Sequence, residues 1–139
     1  MQANPVNAYK QTRVRTASQG RIIVMLYDEA IRQLDLATRA LSEGVRAFDR
    51  VNSSVSKTQE IITELMVALD FEKGGAFAQS MFNLYMFFNR QLTDANLQKN
   101  GDDLTKVRGF LAELRDAWNE AEKKTMFDGG PASGVNVAG

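Results

Sequence analysis

The chain contains no cysteine and no histidine, so any chemistry it performs must come from carboxylates, amines and hydroxyls. Disulfides, thiolate zinc sites, haem attachment and cysteine nucleophiles are excluded. So are Ser-His-Asp triads, Glu-x-x-His di-iron sites and phosphorelay histidines. Three groups of carboxylates remain as candidates. Asp28-Glu29 and Asp102-Asp103 are adjacent in sequence, and adjacent residues on a helix do not face each other. Glu60 and Glu64 are spaced i, i+4, which places both on one helical face where they could share a metal, but no third ligand accompanies them. No phosphate-cradling GxxxxGK[ST] or GxGxxG segment occurs. The expectation is a protein that is not an enzyme and has no metal, nucleotide or covalent cofactor.

The unusual feature is apolar. Residues Ile22 to Tyr27 are apolar without interruption, and Met81 to Phe88 are broken only by Asn83. A bundle helix needs one apolar stripe. Ile22, Met25, Leu26, Phe82, Met86 and Phe87 exceed what one inward stripe uses. Either a small bundle uses wide apolar faces, or something covers the surplus: the N-terminal arm, a second copy or a partner. Methionine and phenylalanine suit a surface that repacks on binding. The arm has apolar points of its own at Val6, Tyr9 and Val14, and a tyrosine can lie flat in a groove with its hydroxyl in water.

The elements that position these residues follow from spacing. Apolar residues recur every three or four positions in four blocks, which is the helical period. Ile23, Tyr27, Ala30, Leu34, Ala37 and Leu41 mark the first block. Phe48, Val51, Val55, Thr58, Ile62, Leu65 and Leu69 mark the second. Phe77, Met81, Leu84, Phe88, Leu92 and Ala95 mark the third, and Leu104, Val107, Leu111, Leu114, Trp118 and Ala121 the fourth. Each block is roughly 30–35 Å of helix, and no stretch alternates with the strand period. Proline occurs only at positions 5 and 131, so nothing between them forbids helix. Ser18 is a candidate N-cap, Gly44 suits a left-handed helix end, Gly74-Gly75 separates the second and third helices, and Asp102 suits the cap of the fourth. Short connections force neighbours antiparallel. The expected fold is all-α: an up-down-up-down four-helix bundle over residues 18–125, with helices near 18–43, 46–70, 76–99 and 103–125. Residues 1–17 form an arm that could make one helical turn around Val6–Lys10, and the Gly-rich residues 126–139 form a disordered tail. Asn52, Ser53, Ser54 and Ser56 are poor helix formers, so the first half of helix two should be the softest part.

At 139 residues the chain fits one domain. Its formal charge is zero, which gives no global field for nucleic acid. The charge is unevenly spread. Residues 1–27 carry Lys10, Arg13, Arg15 and Arg21 with no acid, whereas residues 60–139 carry eight bases and twelve acids. The longest fully apolar run is far short of the roughly 20 residues of a membrane span, and no secretory signal is evident, so a cytoplasmic location is expected.

The residues also carry a resemblance. Asn7-Ala8-Tyr9-Lys10, Val14 and Thr16-Ala17-Ser18 resemble the opening of the flagellar protein FliS family, the flagellin-specific export chaperones. Met25 to Ile31, Ile61 to Leu65 with Leu69-Asp70 and Gly74-Gly75, Leu84-Tyr85, Leu92, Ala95-Asn96 and Leu114 to Trp118 continue it, in order, over about residues 4–124. The resemblance implies a bundle that binds the disordered C-terminal segment of flagellin in apolar grooves, keeps it unpolymerised, and presents it to the export gate of the flagellar type III apparatus. It implies that the arm occupies a groove when the partner is absent. Taken with the surplus surface, the expected partner-binding residues are Tyr9, Val14, Ile22, Met25, Leu26, Phe82, Tyr85 and Met86. The family usually has proline after the capping serine; Gln19-Gly20 stands here, which predicts a looser start to helix one. The alternative reading is a self-associating structural bundle whose surplus surface makes a homodimer.

Overall fold

A computed structural model gives the structure of the chain, and it describes residues 18–127. Four helices make up the fold: α1 (Gln19–Leu41), α2 (Phe48–Val67), α3 (Phe71–Gln98) and α4 (Gly101–Phe127). A 3₁₀ turn, Val45–Ala47, precedes α2. Among the described residues there is no strand. The chain is all-α, as its periodicity predicts.

The helices run antiparallel to their neighbours. Asp35 of α1 meets Arg108 of α4, Asp28 meets Arg115, and Ser18 meets Glu122, so position rises on one helix as it falls on the other. On the opposite side Asn52 of α2 meets Lys99 of α3, and Gln59 meets Thr93. In cyclic order, α1 packs on α2 and α4, and α3 packs on α2 and α4, while the backbones of the diagonal pairs stay apart. The α1 helix makes broader contact with its neighbours than α3 does. The core follows the predicted stripes: Tyr27, Leu34, Val51, Val55, Ile62, Leu65, Phe88, Leu92, Leu104 and Leu111 are all fully buried, and Tyr85, outside those stripes, joins them. Burying each larger side chain stabilises the fold by about 1.5–3 kcal/mol.

Several helix ends differ from expectation, and each has a local cause. The third helix begins at Phe71, not after Gly74-Gly75, because Asp70 has an extended backbone and its carboxylate accepts from the Lys73 N–H at 3.0 Å. At Gly75 the φ of 49° and ψ of −121° lie outside the helical region, so a kink at the glycine pair separates this first turn from the long helical stretch that follows, as the sequence predicts. The fourth helix is capped by Asn100, whose side chain accepts from the Asp103 N–H at 3.2 Å, so Asp102 lies inside the first turn. It reaches Phe127, two residues beyond the expected end. Gly44 does take a positive φ, of 89°, at the end of α1.

The start of α1 is tied down despite Gln19-Gly20. Ser18 accepts from the Arg21 N–H at 3.0 Å and donates its hydroxyl to Glu122 Oε2 at 2.7 Å. A Cβ on Gly20 would stand 3.2 Å from Glu122 Cγ. The glycine therefore lets the end of α4 close on the first turn of α1, where a carboxylate is favoured by the helix dipole.

Candidate partner-binding surface

The α3 helix carries most of the uncovered apolar surface, along both of its seams. On the α2 side, Gln59 donates to the Asn89 carbonyl and the Thr93 hydroxyl, at 3.0 and 2.9 Å. Phe82, Met86, Asn89 and Thr93 follow one another in steps of four, three and four residues, so they form one stripe along this seam. Phe71 packs edge-on against Phe82, with centroids 5.9 Å apart, and extends the stripe toward the helix start. Among these, Phe71 is 46% and Met86 39% exposed, and Phe82 is half-buried.

On the α4 side, Phe110 stacks on the buried Phe88 at 5.9 Å and 21°. It stays 48% exposed itself. Phe87 contacts Phe88 as well, and Phe77 lies on the same helix toward its start; both are exposed. Of the surplus read from sequence, Phe82, Met86 and Phe87 thus fall in two strips along α3, which Phe71, Phe77 and Phe110 extend.

The expected residues separate into groups. Tyr9 and Val14 lie outside the described residues. Ile22, Met25 and Leu26 lie on α1, and Leu26 packs against the core. Ile22 and Leu26 share a stripe with Glu29 and Gln33, whereas Met25 sits further round the helix. These three are on a different helix from Phe82 and Met86. Tyr85 is a correction. It is 1% exposed, and its hydroxyl meets that of Tyr27 at 2.5 Å in the bundle centre, so it supports the α3 surface from beneath. Its phenol is pushed up to about 12, mainly by burial; burial raises Tyr27 further still. Both stay neutral and hydrogen-bonded. Spacing alone does not single out Phe71, Phe77 and Phe110 as surface. Phe110 is detectable as an aromatic directly beside the Val107-Leu111-Leu114 stripe, at a flanking position that a core does not need to fill.

The polar groups on α1 and α4 brace the two helices against each other. Asp28 and Asp35 of α1 pair with Arg115 and Arg108 of α4, at 2.7 and 3.0 Å. The Arg32 side chain bonds Glu29 and holds its carboxyl below the ordinary value. Among the described residues, no three acidic side chains gather as a metal would need. No helix there is long and apolar enough to cross a membrane.

The fold and surface define a class: an all-α four-helix bundle with aromatic side chains left uncovered along one helix. Comparison with known proteins narrows this. The family model described as flagellar protein FliS matches residues 2–125. This chain belongs to that family. It is 31% identical to the flagellar secretion chaperone FliS of Bacillus subtilis (strain 168) over 132 residues, 95% of this chain and 96% of the relative. It is 33% identical to the protein of the same name from Salmonella typhimurium over 130 residues, 90% of this chain and 95% of the relative. A third such chaperone, from Campylobacter jejuni, is 32% identical over 114 residues, covering 82% and 88%. The family is one of flagellar secretion chaperones.

Proposed function

We propose that this protein binds the C-terminal segment of flagellin in the cytoplasm, keeps it from polymerising, and delivers it to the export gate of the flagellar type III apparatus. The observation that carries this reading is the pair of aromatic and methionine strips along α3 in a member of a chaperone family. A segment that builds a filament by helix pairing has an apolar stripe that is sticky when free. Laying it along the α3 seams hides the stripe, as in helix-in-groove recognition. Ordering the segment costs several kcal/mol, so an interface on the order of 1,000–3,000 Å² is required. No covalent step is part of this function.

The arm belongs to the same proposal. Tyr9 and Val14 compete with flagellin for part of the apolar surface, Ile22, Met25 and Leu26 included, and the arm lowers apparent affinity while it covers a groove. Calorimetry with a purified flagellin C-terminal segment tests the reading. The expected result is one segment per chain and a negative heat-capacity change; deletion of residues 1–15 tightens binding where the arm is only a lid and weakens it where Tyr9 and Val14 also clasp flagellin. Absence of binding at 100-fold the concentration of chain, together with a stable dimer in sedimentation, would replace it with the self-associating bundle.

A further inference from the structure

The outer groove between α1 and α2 lies opposite the α3/α4 seam in the ring of helices, and its chemistry is different. It holds a cleft of about 370 Å³ lined by Arg32, Gln33, Leu36, Arg39, Ala40, Arg50, Ser53, Ser54 and Lys57. Four of these are cations and none is an acid. Arg32 and Arg39 are seven residues apart on α1, and Arg50 and Lys57 are seven apart on α2. Seven residues return a side chain to nearly the same face about 10 Å further along. The helices are antiparallel, so Arg39 stands level with Arg50 and Arg32 with Lys57. The cleft thus has two facing pairs of cations, one above the other, with Gln33, Leu36, Ala40, Ser53 and Ser54 between them.

This segregation is a property of the fold. The α1 acids Asp28 and Asp35 are turned to the other side, where they pair with α4. Glu29 and Glu43 stand at the two ends of the cleft, bonded to Arg32 and Arg50. Both pairs are solvent-exposed, so they contribute little and exchange easily. Lys57 acts on Glu29 only through space, and neither Arg39 nor Lys57 forms an ion pair among the described residues. Glu29 and Glu43 compensate Arg32 and Arg50 at the cleft ends, which leaves Arg39 and Lys57 as uncompensated charge that an anionic occupant would relieve. Segments of the same chain do not supply one: the arm carries Lys10, Arg13 and Arg15 without an acid, and the stretch beyond residue 127 carries only Asp128.

We propose that the α1/α2 cleft is a docking site for an acidic helical segment of a second partner protein, separate from the apolar α3 surface. The spacing selects this occupant. A single phosphate needs donors that converge within a few ångströms, whereas cation pairs about one and a half to two turns apart match carboxylates seven residues apart on a helix. The runs of serine that weaken α2 as a helix fit the same purpose. Ser53 and Ser54 are short, so a ridge of the partner's side chains can enter. A bundle with an apolar face and a cationic face can hold two partners at once.

The test uses the full chain and a synthetic 18-residue helical peptide with glutamates seven residues apart flanking an alanine and leucine ridge. Its lysine counterpart and tripolyphosphate are the comparison probes. The expected result is a set of amide shifts confined to residues 32–40 and 50–57 with the glutamate peptide, none with the lysine peptide, and at least tenfold weaker binding in Arg39→Glu/Lys57→Glu. Arg39→Gln/Lys57→Gln should lose binding while its thermal midpoint stays level or rises, since like-charge repulsion is removed. Flagellin-segment affinity should be unchanged in both variants. Glutamate-peptide binding within twofold of wild type in the reversed-charge variant overturns the proposal. So does occupation by tripolyphosphate with no response to the peptide, which would make it a small-anion site. A salt-dependent dimer abolished by Arg39→Glu would assign the cleft to a second copy, and loss of flagellin binding in the same variant would merge it with the apolar surface; either result also overturns it.

Discussion

The hydroxyls of Tyr27 and Tyr85 meet at 2.5 Å across the diagonal of the bundle, joining α1 and α3, whose backbones do not touch. Two long side chains therefore span a gap that no backbone contact closes. Both rings are fully buried, and each hydroxyl satisfies the other. Trp118 also hydrogen-bonds Tyr27, so removing Tyr27 leaves the Tyr85 hydroxyl buried without this partner, whereas removing Tyr85 leaves Tyr27 with Trp118.

Alkaline titration should expose this pair. The phenols ionise near 10 in the unfolded chain, while in the folded chain Tyr85 is pushed up to about 12 and Tyr27 beyond it. The folded state therefore keeps protons that the unfolded state releases, and stability falls as pH rises above 10. The loss for Tyr85 alone is roughly 3 kcal/mol between pH 10 and 12. Denaturant unfolding at pH 8 and pH 11 should show a large decrease in wild type and a clearly smaller one in Tyr27→Phe/Tyr85→Phe. At pH 8, Tyr85→Phe alone should cost about 1–3 kcal/mol, and the double variant less than the two single variants together.

Two glycines should respond in opposite directions to alanine. Gly75 has a φ of 49° and a ψ of −121°, a conformation that residues with a Cβ rarely adopt. A Cβ there would meet no neighbour within 4 Å, so the penalty is backbone strain alone. Gly75→Ala should destabilise by about 1–2 kcal/mol or straighten the kink. Gly109 lies within helical α4 with equally open space around it. Gly109→Ala should stabilise by about 0.5–1 kcal/mol. Denaturant midpoints of the two variants measure both effects, and equal signs would contradict the assignment of Gly75 as the kink.

The Ser18 tie separates capping from cross-helix bonding. Ser18→Ala loses the cap and leaves the Glu122 carboxylate, 8% exposed as a residue, without that donor. A loss of about 1–2 kcal/mol is expected, read as roughly 3–6 °C in the thermal midpoint. Aspartate caps helices as well as serine does, but at this position it would face Glu122. Ser18→Asp should therefore fall below wild type, and Ser18→Asp/Glu122→Gln should recover.

The fold is legible in the sequence because its determinants are local. The 3–4 spacing of Ile23 to Leu41 or Leu104 to Ala121 needs no knowledge of the neighbours, and Ser18 caps as its type suggests. Spacing misleads where two local signals compete. Gly74-Gly75 reads as a break and Gly75 is one, but the Asp70 carboxylate also starts a turn of helix before it that the apolar spacing does not announce. Tyr85 reads as surface because it stands in an almost unbroken apolar run. Its place at a three- to four-residue step from Met81 and Phe88 puts it inward, and only the position of Tyr27 on another helix explains its hydroxyl there. The cationic cleft is harder to see, since Arg32 and Lys57 are 25 residues apart and each reads as an ordinary solvated charge until α1 and α2 are laid side by side.

The apolar surface makes the last prediction. Met86 and Phe87 are 39% and 40% exposed, so Met86→Ser/Phe87→Ser should lower the thermal midpoint by several degrees and leave the chain folded. If flagellin buries them, each contributes about 1–2 kcal/mol of transfer energy to the complex, and affinity for the flagellin C-terminal segment should fall 10- to 100-fold or more. Phe110→Ala should weaken binding too, but with a measurable stability cost, because its ring covers Phe88 at 5.9 Å. Tyr85→Ala serves as the contrasting core variant: it should lower stability by about 3–5 kcal/mol. Calorimetric titration beside thermal unfolding distinguishes these behaviours. Undiminished binding in the folded Met86→Ser/Phe87→Ser variant would show that flagellin does not use these two positions of α3.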